Sequence, residues 1–253
     1  MYQIVKIKFE PLTVEKNQTI KQIEDFLNDL HMNGQILTGW VLEERHPFFV
    51  ATVTTTASNA LDKRFYNVYL QEKASNWKIS IETVCNDALA TDHCNCASHR
   101  FLVMHADMDY CSSPVLCGDC GKEIPLVYLP HLFDEQEHYS ILNWQSIYHS
   151  VENLWRNSLS DRFFKRQLTD HASQLNQRGQ EIREELEKKT EIPVYMFLKN
   201  PIGGLYQAEK NNRNLSCCPK CSGSFRFLEN APVDKVCDTC RLAFYHYPNE
   251  IAF

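Results

Sequence analysis

Cys218-Pro219-Lys220-Cys221, fifteen further residues, then Cys237-Asp238-Thr239-Cys240 decide how the C-terminal part of this sequence folds. Two Cys-x-x-Cys turns at that separation aim four thiolates at one point, and four thiolates fill the tetrahedral shell of Zn²⁺. Pro219 favours the first of the two turns. The alternative is two unrelated cysteine pairs, which this spacing disfavours. A four-thiolate site has no open coordination position, so one structural zinc is expected, held by Cys218, Cys221, Cys237 and Cys240. Phe225, Phe227 and Leu228 lie between the pairs, with Leu242, Phe244, Tyr245 and Tyr247 after them. So small a module has almost no core, and the metal must supply most of its folding free energy. Its aromatic residues either stack bases or cover the metal and dock the module. Docking is favoured, because only Lys220, Arg226, Lys235 and Arg241 accompany them.

The charge balance narrows the partners. The 253 residues carry a net charge of -6, and no stretch concentrates lysine and arginine. Affinity for a phosphate backbone comes largely from such residues, so nucleic acid is a disfavoured partner and a basic protein surface a favoured one. Nothing at the N-terminus reads as a signal peptide, and no apolar run reaches the ~18 residues of a membrane span. The expected location is a reducing cytoplasm, where the 11 cysteines are thiols or metal ligands.

The rest of the chain reads as an α+β protein. Residues 2–10, 39–43, 48–56, 66–71 and 77–84 read as strands. Ile20, Ile23, Phe26, Leu27 and Leu30 recur at helical spacing after a capping Thr19, and Asn33-Gly34 ends that helix. This order predicts a mostly antiparallel N-terminal sheet with packed helices, and a ferredoxin-like variant is one way to build it. Residues 101–105 read as a buried strand and 125–130 as a short strand and turn. Ile141 to Trp155 and Phe163 to Leu186 then carry two helical stripes, predicting a long antiparallel helix pair. Ser160 and Asp161 can cap the second helix, and Gly179 inside it tolerates a kink or close packing. Ile192–Leu198 reads as a strand that can return to a sheet, and 201–213 as a polar linker. The expected division is 1–130 for the sheet domain, 131–205 for the helix pair and returning strand, and 206–253 for a small zinc ribbon.

Cys117-Gly118-Asp119-Cys120 resembles half of a second zinc site. The other half is Cys94 and Cys96, or Cys111 with a histidine; the alternative is an unmetallated turn with two buried thiols. The strongest nucleophile candidates are Cys94 and Cys96 near His93 or His99, but adjacency in sequence does not make a dyad. No Gly-rich phosphate loop, nucleophile elbow or His-Glu-x-x-His helix is present. No catalytic residue and no enzymatic activity is expected.

Several features in order carry a family resemblance. They are Leu102-Val103-Met104-His105, Leu116-Cys117-Gly118-Asp119-Cys120, Ile124-Pro125-Leu126, the residues Trp144, Tyr148 and Trp155, then Ile192-Pro193-Val194-Tyr195 and the two C-terminal cysteine pairs with Arg241-Leu242. From about residue 95 onward the chain resembles a bacterial family of unknown function described as zinc-ribbon-containing and nucleic-acid-binding. Some proteins of this appearance neutralise secreted antibacterial toxins, including ADP-ribosyltransferase domains of Rhs-type effectors that modify elongation factor Tu. The resemblance therefore implies an immunity protein that binds a cognate toxin, with no catalytic residue to carry over. A zinc-ribbon nucleic-acid binder is the alternative. Oligomeric state is not legible in the sequence.

Overall fold

Val5, Ile7 and Phe9 are buried while their neighbours are half-exposed, so the first strand, β1 (Gln3–Pro11), turns one face to a core. The computed structural model describes residues 2–12, 16–87, 93–106, 112–157, 161–199, 215–229 and 231–245, with backbone alone at 16–19 and 161. The expected Cys111 ligand, the Ser160 cap, the 201–213 linker and Tyr247 lie outside the described residues. The architecture is α+β, and the chain divides into two compact units: 1–93 with 124–139, and 94–123 with 140–253.

In the first unit β1 is followed by α1 (Lys16–Met32), β2 (Val41–Arg45), β3 (Phe48–Thr55), α2 (Val68–Ala74) and β4 (Trp77–Asn86). The sheet order is β2-β3-β1-β4, antiparallel throughout. With one helix after β1 and another after β3, this is the split β-α-β-β-α-β arrangement of ferredoxin-like units. Ile23, Phe26, Leu27 and Leu30 bury one stripe of α1 with Val5, Ile7, Phe9, Phe49, Ala51, Val53 and Trp77. Thr19, the expected cap, lies inside α1.

Two expected strands are not strands. Residues 66–71 contain the start of α2, because the Asn67 side chain accepts a hydrogen bond from the Leu70 amide and caps a helix there. Of the apolar Val68, Tyr69 and Leu70, only Leu70 is buried, so their β-propensity met no sheet surface. Residues 125–130 hold one 3₁₀ turn at Leu126–Tyr128.

The second unit holds β5 (Leu102–Met104), β6 (Val115–Cys117), α3 (Tyr139–Asn157), α4 (Asp161–Thr169), α5 (Gln174–Thr190), β7 (Val194–Phe197), β8 (Arg226–Phe227), β9 (Lys235–Cys237) and β10 (Leu242–Phe244). Its sheet runs β6-β5-β7-β10-β9-β8, with β7 parallel to both β5 and β10 and the outer pairs antiparallel. The 192–198 segment thus does return to a sheet, and fills its middle. Phe101, Val103, Leu116, Tyr195, Phe197, Val236 and Ala243 form one core beneath it.

This sheet alters the expected division at 130 and 205. Strands from 102–117 and from 226–244 are joined through β7, so the C-terminal module continues a sheet instead of standing apart. The long helix pair is also corrected, since the second helix is two. Asp170 accepts a hydrogen bond from the Ala172 amide, and Ser173 caps α5 by accepting from the Asn176 amide. These local bonds stop α4 at Thr169 and start a new helix. Phe163, assigned to the buried stripe, is exposed, whereas Leu168, Leu175, Ile182 and Leu186 are buried.

Candidate metal centres

The mixed sheet carries two groups of four cysteines. At one, Cys117 ends β6, and Gly118-Asp119-Cys120 turn back beneath it. Cys94 and Cys96 reach this turn because the Cys94 amide donates to the Glu123 carbonyl at 2.8 Å. The buried Glu123 carboxylate accepts from the amides of Ser112 and Ser113 at 3.0 and 3.1 Å, and so fixes the entry to β6. At the other, Cys218 and Cys221 meet Cys237, which ends β9, and Cys240, which lies two residues before β10. In each group all four Sγ atoms lie within 4.8 Å of one another.

Both groups fit a tetrahedral metal. Four sulfurs about 2.3 Å from a central ion stand about 3.8 Å apart. The Sγ separations include 3.4 Å for Cys120–Cys94 and 4.0 Å for Cys117–Cys96. The C-terminal group has Cys221–Cys237 at 3.6 Å. The turns also donate amides to sulfur, as thiolates require: Cys96 to Cys94 at 3.2 Å, Asp119 to Cys117 at 3.4 Å and Lys220 to Cys218 at 3.4 Å. Two groups are thus positioned to bind metal where the sequence led us to expect one metal. Cys94 and Cys96 complete the half-site of Cys117 and Cys120. Their one-residue spacing departs from the Cys-x-x-Cys pattern, which is why sequence alone left the pairing open.

The electrostatics of the bare thiols show what a cation would relieve. Burial pushes the Cys94 thiol well up, and burial likewise raises Cys237 and Cys240. Cys221 is pulled down to about 7 by the Gly223 amide and the neighbouring thiols. At Cys120 burial is outweighed by the Lys122 amide and the thiols, and the value falls. Each group thus sets one lowered thiol beside raised ones, a conflict a bound divalent cation removes.

The three Cys-x-x-Cys turns share a backbone device. The residue after each second cysteine has a left-handed conformation: Gly121 at φ 73°, Ser222 at φ 56° and Arg241 at φ 54°. Gly121 takes this conformation without the steric cost of a side chain. Gly118 serves differently, since a Cβ there would stand 2.3 Å from the Phe101 ring.

The surroundings complete both sites. His99 Nδ1 lies 3.3 Å from Cys117 Sγ, so the nearby imidazole borders the first sulfur group. The Arg100 amide and guanidinium bind Asp119 and hold its carboxyl below the usual range. In the C-terminal group Arg226 grips Asp238 at 2.8 Å through two nitrogens, and Tyr195 from β7 donates to the same carboxylate. The guanidinium holds the Asp238 carboxyl at about 2. Cys217 is exposed and belongs to neither group.

Comparison with known proteins adds kinship without an activity. The chain is 29% identical over 154 residues to one uncharacterized protein of Haemophilus influenzae (strain ATCC 51907 / DSM 11121 / KW20 / Rd), covering 58% of this chain and 55% of the relative. It is 30% identical over 138 residues to a second uncharacterized protein of the same strain, covering 51% of this chain and 63% of the relative. The chain therefore spans less than two thirds of the length of either. No solved structure matches it significantly. Residues 96–199, from the second cysteine of one metal-type group through the central strand β7, match the model of a family described as "Domain of unknown function (DUF2310)", and it is to this family that the middle of the chain is similar.

Proposed function

We propose that both four-cysteine groups hold Zn²⁺, that the C-terminal one closes a zinc ribbon, and that the protein is a non-enzymatic cytoplasmic immunity protein that binds and occludes a cognate antibacterial toxin. The observation that carries this reading is the ligand set. Each group supplies four sulfurs and leaves a metal no open position, so the metals support a binding surface and do not activate a substrate. The ten described cysteines are free thiols, as zinc ligation requires.

The basic and aromatic residues around the C-terminal group favour a protein partner over nucleic acid. Lys235 is buried, donates to the Leu215 carbonyl at 2.8 Å and lies over the Phe225 ring. Arg226 is committed to Asp238, and Arg241 pairs with Glu187 at 3.4 Å. Phe244 is buried, and Tyr245 packs on Phe197 and His105. Phe227 is the exposed aromatic side chain among the described residues of the module, a poor platform for successive bases. The net charge of -6 suits a cationic protein surface.

The test is co-expression with an ADP-ribosyltransferase toxin domain encoded beside the gene. Protection of growth and a stable complex of the two purified chains are expected. Retention on a mixed-sequence nucleic-acid column at about 0.15 M salt, with no protection against the toxin, would replace this reading with the nucleic-acid one.

A further inference from the structure

β4 is the edge of the first unit's sheet, and no strand pairs with its outer side among the described residues. Beyond Trp77, every residue of this ten-residue strand is at least partly exposed, including Ile81 at 47% and Val84 at 50%. A long edge that offers apolar side chains and a row of amides and carbonyls is a template for another strand. Edges that stay single are usually interrupted by proline or a bulge. Here the pairing with β1 is regular from Trp77 to Thr83, and the bulge comes only at Val84, where Ile4 and Val5 face Cys85 and Thr83.

Ser80 is the midpoint of that regular stretch. We propose that β4 pairs antiparallel with β4 of a second copy of this chain about a two-fold axis at Ser80, joining two four-stranded sheets into one of eight.

The charge pattern selects this register. With the axis at Ser80, Lys78 of each copy lies opposite Glu82 of the other, Ile79 opposite Ile81, and Trp77 opposite Thr83. Trp77, Ile79, Ile81 and Thr83 pair with Pro11, Phe9, Ile7 and Val5, so they share the core side of the sheet, while Lys78, Ser80 and Glu82 share the open side. Both apolar contacts then form on one side and both opposite-charge contacts on the other. The exposed Ile81 gains Ile79 of the second copy as its cover. An axis at Ile79 sets Lys78 against Ser80, and an axis at Ile81 sets Lys78 against the bulged Val84. An axis between residues sets a core-side residue against an open-side one. Lys78 keeps its bond to Glu10 in the proposed pairing, because its side chain stands above the sheet and is 71% exposed.

Sedimentation of the full chain over roughly a hundredfold concentration range tests the pairing. The wild type is expected to form a reversible two-chain particle. Lys78→Glu and Glu82→Lys should each weaken it by roughly tenfold or more, since each places two like-charge pairs across the interface. The double swap should restore association, because it exchanges the partners while keeping them opposite. Far-UV circular dichroism on all variants shows that the sheet is intact. A wild-type monomer throughout the range overturns the proposal. So does a dimer indifferent to both single reversals, or single reversals that the double swap does not rescue.

Discussion

Gly179 on α5 lies flush against the indole of Trp144 on α3: a Cβ at 179 would stand 2.9 Å from Trp144 Nε1 and 2.6 Å from Met196 Sδ. The indole nitrogen donates to the Leu175 carbonyl, one turn back on α5, so the ring is held on the bare helix backbone. Alanine at 179 would gain about 1 kcal/mol of helix propensity and lose about 1–3 kcal/mol to overpacking. Gly179→Ala should therefore lower the melting temperature despite the better helix former. A rise would show that Trp144 and Met196 yield freely.

Metal content follows from the two sulfur groups. Elemental analysis of the purified chain should give two zinc ions per chain. Cys94→Ser and Cys221→Ser should each remove one and leave the other, because the groups share no ligand. A wild-type value of one would mean that the group of Cys94, Cys96, Cys117 and Cys120 holds four thiols.

The left-handed residues after the cysteine pairs make an internal comparison. Ser222 occupies a conformation that costs a side chain about 1 kcal/mol, whereas Gly121 occupies its counterpart without that cost. Ser222→Gly should raise resistance to denaturant slightly. Gly121→Ala should lower it by about 1 kcal/mol or more, the added methyl also meeting Pro232 at 3.4 Å. Responses of opposite sign at the two turns would confirm that they are geometric equivalents.

Acid should loosen the first unit before its carboxylates titrate. His138 is pushed down to about 3 by burial and by the neighbouring His131 imidazole, against its hydrogen bond to the Leu126 carbonyl. His131, which bonds Asn33 Oδ1 at 3.0 Å, is lowered by burial against the charge of Glu135, and both rings line a cavity of about 400 Å³. Above the ordinary value of 6.5 the folded and unfolded rings are both neutral, and stability is flat. Below it the unfolded chain binds a proton that folded His138 refuses, so stability falls by about 1.4 kcal/mol per pH unit. That loss continues to about pH 3, where the folded ring protonates. Denaturant titrations between pH 7 and 5 should show this slope, and His138→Asn should reduce it.

Glu152 is fully buried in the second unit, ion-paired with the buried Lys199 and with Arg156 Nη2 at 2.9 Å. Removing the carboxylate takes a buried counter-charge from both Lys199 and Arg156. Glu152→Ala should cost roughly 3–5 kcal/mol, measured by chemical unfolding. Replacing Glu152 and Lys199 together with apolar residues of similar size should cost less than the single change.

The sequence showed some of this better than the rest, and the difference is physical. Four C-terminal cysteines at fixed spacing, and the Ile23-Phe26-Leu27-Leu30 stripe, are local patterns that report directly on geometry. The pairing of Cys94 and Cys96 with Cys117 and Cys120 is not local; it depends on the Cys94 amide reaching the Glu123 carbonyl, which no spacing rule encodes. Val68-Tyr69-Leu70 read as strand because β-branched and aromatic residues favour sheets, yet the Asn67 cap settled the matter. The break at Asp170–Ser173 was missed for the same reason: short side-chain bonds to the backbone overrode a continuous apolar period. Lys235, Arg226 and Arg241 counted as basic surface in the sequence, but Lys235 is buried and the other two are paired with Asp238 and Glu187.

The place of β7 in the mixed sheet has a consequence for a chain still on the ribosome. Its neighbour β5 is made early, but β10 is made only after all four C-terminal cysteines. Until those cysteines close, β7 presents a bare parallel edge in what will be the middle of a sheet, where there is no side-chain charge to repel a stranger. On the proposed zinc binding, a cell short of metal would accumulate this half-built sheet, and its quality-control proteases would meet it first. The abundance of the protein would then track the metal supply at the moment of synthesis, whatever the finished molecule binds.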